Sequence, residues 1–485
     1  MKKWTALLLA IVLVFSLFGC AAKQEENQWE KFRKGPEDEK DGFVAFNKDI
    51  KDMKDPLVIC MDVEFADEAL HQPDVILNDF LMSLEQSGGL SEVVINYLPK
   101  GDVEREMKLK RLRVEIMAGS GPDVFIMSCS PQWFGRILEP AEYPLFIFPE
   151  MSMENGLFLP LDEYMENNTR FAEWDKLTKP VLDAGRNDRD GQAIIPLAYT
   201  MPVRIYKKED VDLDLTGASY TWDDMIHNPE IAPFAARFAD CTEAILLDDG
   251  STSTWRQTEY LPYILGQTAN FKEEELSFTE EELLYYVNYM LDSAKTDIPV
   301  TEPPLSYSTD LRGNCTSEIA KELNGSVTDD ITMIPMYTKD GGVSAMITAW
   351  AAINRNTDKP EEAFTVIDLL LSENTQRNQD IWEYFIENGG DIPLHEDLLH
   401  PDKPFRNSDG FTFKNESHFE EFCEVRSQIT EAQFRNPFTA EISYLIDHCY
   451  YGLNGIDGGP EFGAFTTVEE EVHKTFEKMQ RMLKE

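Results

Sequence analysis

Carboxylates, histidines and serines are the residues of this chain most able to do chemistry, and their spacing argues against the reactions they usually serve. Glycoside hydrolysis needs two carboxylates held at a set separation. Among 89 acidic residues in a chain of 485, adjacent pairs such as Asp223-Asp224 arise from composition alone. His395-Glu396 with His400 puts the second histidine at i+5, off the face that a metal-binding helix must present. Gly342-Val343-Ser344-Ala345 lacks the closing glycine of a serine-hydrolase elbow. Asp210, Asp212 and Asp214 alternate, but without an EF-hand glycine and closing Glu they read as a solvated loop. Gly119-Ser120-Gly121 runs from helix to strand and lacks both the third glycine and the Lys of a phosphate loop, so it reads as a turn. The expectation is a protein without catalytic residues, metal or cofactor. A secreted glycosidase and a surface sensor presenting a bound ligand to a receptor stand as alternatives.

The elements that position the remaining candidates are legible from periodicity. Leu57–Met61, Val93–Tyr97 and Val124–Met127 are strand-like runs. Between them, Pro73 to Leu84 has helical spacing at Val75, Ile76, Phe80 and Leu84. Leu109, Leu112, Ile116 and Met117 line one face of a second helix, with Arg105, Lys108, Arg111 and Glu115 on the others. Strand, helix, strand, helix, strand with short links implies a parallel sheet with right-handed crossovers. Further strands are expected at Ala193–Tyr199, where Pro196 suggests an edge or crossing segment, and at Ile331–Pro335 and Val343–Asn354. Helices are expected over Glu280–Leu291, from Pro360, and over Thr467–Glu485.

Composition sets the class. The chain is long enough for two lobes and carries 29 Phe and 17 Tyr, ample for large cores. A net charge of −45 repels nucleic acid and anionic headgroups and argues for a monomeric body. Behind Lys2 and Lys3 an uncharged stretch from Trp4 to Phe18 ends at Leu17-Phe18-Gly19-Cys20. It resembles a bacterial lipoprotein export signal over residues 1–20, with cleavage just before Cys20, which would carry lipid as the mature N-terminus; an uncleaved membrane anchor is the alternative. Residues 21–55 are rich in Lys, Glu and Asp and read as a flexible tether reaching on the order of 30 Å. Cys60, Cys129, Cys241, Cys315, Cys423 and Cys449 are scattered and read as mostly free thiols.

Several phrases in their order resemble the sugar-binding group of extracellular solute-binding proteins that serve ABC importers. They are Met117-Ala118-Gly119-Ser120-Gly121-Pro122-Asp123-Val124, Leu159-Pro160-Leu161-Asp162, Asp190-Gly191-Gln192-Ala193-Ile194-Ile195-Pro196, Ile205-Tyr206-Lys207-Lys208, Thr221-Trp222-Asp223-Asp224, Ala352-Ile353-Asn354 with Gln376, and Asp391-Ile392-Pro393-Leu394. The resemblance implies an α/β, two-lobed, periplasmic-binding-protein-like type II fold with a parallel-sheet core in each lobe and a hinge between them. Lobe 1 would take residues 56–200 and 331–372, and lobe 2 residues 201–330 and 373–485. A sugar ligand, ABC permease subunits and the membrane through the N-terminal lipid would be its partners.

Ligands of open α/β sheets bind beyond the carboxyl ends of the strands. Sugars take flat apolar faces together with carboxylates or hydroxyls. With the resemblance, this gives Asp62, Glu64, Ser128, Ser130, Trp133, Tyr199, Thr200, Trp255 and Trp350 as the ligand-binding set. Tryptophans of large proteins are as often core residues as stacking platforms, so both readings attach to Trp133, Trp255 and Trp350. Trp222 reads as a packing residue at a helix start, with Thr221 or Asp223 as cap.

Overall fold

A computed structural model describes residues 43–45, 50–62, 73–98, 103–128, 144–208, 220–232, 242–246, 252–256, 260–293, 330–377, 392–402, 413–455 and 463–484. Its main sheet is built from β1 (Phe43–Ala45), β2 (Leu57–Asp62), β3 (Val93–Tyr97), β4 (Val124–Ser128), β7 (Ile194–Thr200), β14 (Val343–Ile353), β15 (Ile392–Pro393) and β16 (Ile429–Phe434). The strand order is β1-β3-β2-β4-β14-β7-β15, with β16 joined to β14 off this path. Strand β2 runs parallel to β3 and β4, connected through helices α1 (Pro73–Gln86) and α2 (Val103–Met117). Strand β14 turns the sheet mixed, antiparallel to β4 and β7 and parallel to β16.

Apolar spacing explains which faces are buried. Leu77, Phe80, Leu81 and Leu84 of α1 pack into the core. On α2 the buried stripe is Arg105, Leu109, Leu112 and Ile116, at i, i+4, i+7 and i+11. Two expectations for that helix are corrected: Met117 is 77% exposed and Arg105 is buried. The i+11 spacing holds one face better than the adjacent pair Ile116-Met117 can. All eleven residues of β14 are buried, as expected of a strand with neighbours on both edges.

At Pro196 strand β7 pairs with β14 alone, as the edge reading expects, because β15 reaches only Ala198 and Tyr199. The register shifts there, with Ala349 opposite Ala198 but Trp350 opposite Pro196, so the proline sits where the ladder is already interrupted. Helix α9 (Pro360–Leu370) opens with Pro360 followed by Glu361 and Glu362, and buries Ala363, Phe364, Val366, Ile367 and Leu370.

A second group of elements lies beyond β7. Strand β8 (Val203–Lys207) continues the chain past Met201-Pro202 and pairs with β13 (Ile331–Pro335), which leads back to β14. An outgoing and a returning segment must pair antiparallel, so parallel pairs are found only in the main sheet among the described residues, not in a second sheet of its own. Helices α6 (Trp222–His227), α7 (Leu261–Leu265), α8 (Glu280–Ser293), α11 (Glu416–Arg426), α12 (Pro437–Asn454) and α13 (Val468–Met482) complete this group. Thr221 caps α6 through Asp224, and Trp222 is buried behind it.

Ile331–Pro335 pairs with β8, the first half of β14 pairs with β16 and its second half with β4 and β7, and β15 pairs with β7. The tether is shorter than its charge suggests: Phe43–Ala45 pairs with β3, and Met53 and Val94 form a small core with Phe43, Ala45, Ile50 and Val58. A few apolar residues among many charges are enough to seal a sheet edge. Elsewhere the buried apolar residues form one continuous cluster running from the main sheet into the second group. Cys60, Cys423 and Cys449 are free thiols; Cys20, Cys129, Cys241 and Cys315 lie outside the described residues.

Candidate functional site

Sheet register gathers the candidates at the carboxyl ends of β2, β4 and β7. Asp62 stands opposite Met127, Ser128 opposite Ala349, and Ala349 opposite Ala198, two residues before Thr200. Strand β14 passes straight through this line. Its half from Ala349 to Ile353 pairs with β4 and β7, and its half from Val343 to Ile347 pairs with β16. The chain therefore passes between the two groups of elements at the level where the candidates meet.

Asp62 and Thr200 of that line are held by protein partners. Asp62 is 7% exposed and pairs with Arg105 Nη2 at 2.8 Å, while Leu145 N donates to it at 2.9 Å. A carboxylate so buried requires a charge partner and hydrogen bonds to offset its loss of water. Thr200 Oγ1 and the Tyr263 hydroxyl of α7 share a hydrogen bond of 2.8 Å, tying β7 to the second group. The Tyr199 ring is wholly buried, and burial pushes its hydroxyl up to about 12. Ser128 is half-buried at the end of β4.

Trp350 takes the core reading. It is 1% exposed, with ring centroids of Phe146 at 5.7 Å, Phe158 at 5.8 Å and Phe434 at 6.1 Å. In this structure it presents no face to a ligand, because the middle of an eleven-residue buried strand leaves it only apolar neighbours. Trp255 stands in β10 (Thr252–Arg256), whose pairing is with β9 (Thr242–Leu246) and not with the main sheet. Glu64, Ser130 and Trp133 lie outside the described residues, as do Asp210, Asp212 and Asp214.

Sequence reasoning missed Arg105, Tyr263 and Leu145 as partners of this line. Arg105 alone left a signal, at i−4 to Leu109 on the apolar face. The contacts of Tyr263 and Leu145 join residues 63 and 83 positions apart, which no local pattern reports.

The family model described as "Bacterial extracellular solute-binding protein" matches residues 91–377, more than half of the chain. The chain belongs to that family. No curated protein sequence matches it. Among solved structures it is similar to an extracellular solute-binding protein family 1 from Alicyclobacillus acidocaldarius, at 14% identity and a TM-score of 0.49, covering 89% of this chain and 100% of that one. It is also similar to the sugar-binding protein MalE from Xanthomonas citri, at 11% identity and 0.48, covering 89% and 98%. A periplasmic oligogalacturonide binding protein from Yersinia enterocolitica gives 15% and 0.47, covering 88% and 99%. At these values the structural likenesses carry no argument, and membership rests on the sequence match.

The phrases shared with extracellular solute-binding proteins prove to be scaffold. Gly119 and Gly121 have φ of +80° and +106°, which their neighbours in sequence could not adopt without strain. Asn354 Nδ2 donates to Ser120 O at 3.0 Å and Pro122 O at 2.9 Å, bracing the turn from the end of β14. Asp123 accepts from Val58 N at 2.8 Å and from Thr357 Oγ1 at 2.6 Å, locking β4 to β2 and to the segment before α9. A groove of about 610 Å³ lies beside this turn, walled by Pro56, Val58, Asp123, Asn354 and Lys359, at the opposite end of the sheet from the candidate line. No helix among the described residues is long and apolar enough to cross a membrane.

Proposed function

We propose that the protein captures a carbohydrate between its two groups of elements and hands it to the membrane subunits of an ABC importer, held at the outer membrane face through lipid on Cys20. The observation that carries this reading is the passage of β14, with β7–β8 beside it, between the two groups at the line formed by Asp62, Ser128 and Thr200. A few crossing segments at a ligand site are what hinge closure requires: contacts from both sides stabilise the closed form, and the open form cannot match them. Hydroxyl and carboxylate side chains suit a ligand rich in hydroxyl groups, and Glu64, Ser130 and Trp133, just past β2 and β4, would complete the contacts.

The test is a thermal-shift screen of the chain lacking residues 1–20 against a panel of mono- and oligosaccharides, followed by calorimetry. One sugar should raise the melting temperature, and Glu64→Ala and Trp133→Ala should each weaken its binding tenfold or more, about 1.4 kcal/mol. Stabilisation by peptides or polyols and by no sugar would replace the cargo. Turnover of glycosides by the pure protein would replace binding with catalysis.

A further inference from the structure

Buried oxygens without donors line a further groove. The groove, about 470 Å³, has helix α5 (Lys179–Asp183) and Arg186 on one side and β16 with Gln267 on the other, with Glu150 of α3 (Pro149–Glu154) in its wall. Gln433 is 2% exposed; its Nε2 donates to Pro262 O at 3.1 Å, and its Oε1 receives no hydrogen bond. Glu150 is 8% exposed, and its Oε2 likewise receives none. Glu431 Oε1 accepts a backbone hydrogen bond from Gln267 N at 2.8 Å. Strand alternation sets Glu431 and Gln433 on one face, about 7 Å apart along the strand.

The cations in the groove wall are already paired. Lys179 is engaged by Asp183 at 2.7 Å and Arg186 by Asp162 at 2.6 Å. The nearby Lys339 pairs with Glu282 and Asp340. Neither Glu150 nor Glu431 forms an ion pair with a Lys or Arg among the described residues, and burial raises both carboxyls. Native proteins seldom leave buried acceptors unfilled, and each such group costs about 1–3 kcal/mol.

We propose that this groove binds a small organic ammonium compound, whose N–H groups donate to Gln433 Oε1 and Glu150 Oε2 and whose charge is balanced by Glu150 and Glu431. A neutral polyol would fill the acceptors but would bring no cation to the Glu150 and Glu431 carboxyls, neither of which has an ion-pair partner among the described residues. A bare metal ion needs several converging hard ligands, and no group of three or more such residues exists among the described residues. None of Asp62, Ser128 and Thr200 lines this groove, so the proposal does not depend on the nature of the cargo.

The experiment is calorimetry and thermal shift on the chain lacking residues 1–20, with putrescine and methylamine as probes, butanediol as the neutral match for putrescine, and NaCl at equal ionic strength. Saturable binding of at least one amine, no effect of butanediol, and at least tenfold weaker binding in both Gln433→Ala and Glu431→Gln are expected. Glu431 is only partly buried, so Glu431→Gln reports even where Gln433→Ala folds poorly. No amine binding, an equal response to butanediol, or binding unchanged in Glu431→Gln would each overturn the proposal.

Discussion

Single side chains in this protein answer to burial before they answer to chemistry. Trp350 has the residue type and position of a stacking platform, yet Phe146, Phe158 and Phe434 enclose it. Trp350→Ala should therefore cost about 3–5 kcal/mol of stability, read as a fall in the denaturant midpoint. A variant as stable as the parent, but with weaker sugar binding, would return Trp350 to the ligand. Asp62 shows the same priority: its type and its place after β2 were legible, but its engagement by Arg105 came from a helix read as exposing that arginine. Periodicity gives the faces of a helix and leaves open which polar residue is drawn onto the buried one. Asp368 is a further case, buried on α9 while accepting from the backbone N–H groups of Arg170, Phe171 and Ala172 and from Trp174 Nε1.

Elements were the most readable level, because their signals are local. Strands β2, β3, β4 and β13 and helix α9 fall where alternation, capping and proline placement put them. Thr467 caps α13 by accepting from Glu470 N, as the charged amphipathic segment at the end of the chain suggests. Pro196 falls where β7 has a partner strand on one side only and where the register shifts, so its missing N–H costs no regular ladder bond. At this scale the turn from α2 to β4 depends on Asn354, 230 or more residues away. Asn354→Ala should destabilise by about 1–3 kcal/mol by leaving the Ser120 and Pro122 carbonyls unpaired. Thermal melts should show that loss with no change in ligand affinity, since the turn lies at the far end of the sheet.

The molecule as a whole couples its two groups of elements through one buried cluster and through groups such as Glu150, which touches both sides of that coupling. Burial pushes the Glu150 carboxyl up to about 7 from its ordinary value of 4.5. Between those values the folded protein keeps a proton that the unfolded chain has lost. Stability therefore falls as pH rises from about 4.5 to about 7, by up to about 3 kcal/mol. Glu150→Gln should remove this slope, so its melting temperature should exceed the parent's by more above neutrality than in mild acid. An equal difference at both would show that Glu150 does not titrate in this range.

From the amino acids alone came the α/β class, the solute-binding family, the order of most elements and the sheet end where the candidates gather. Those follow from periodicities of two and 3.6 and from short phrases, which lie within a few residues of chain. Tertiary structure alone decided that Trp350 is enclosed, that Asp62 and Thr200 are held by Arg105 and Tyr263, and that β14 serves both groups of elements. It also revealed buried acceptors lining a groove that no motif marks. These are contacts between residues tens to hundreds of positions apart, and their energy depends on what excludes water from them, which a one-dimensional pattern does not contain.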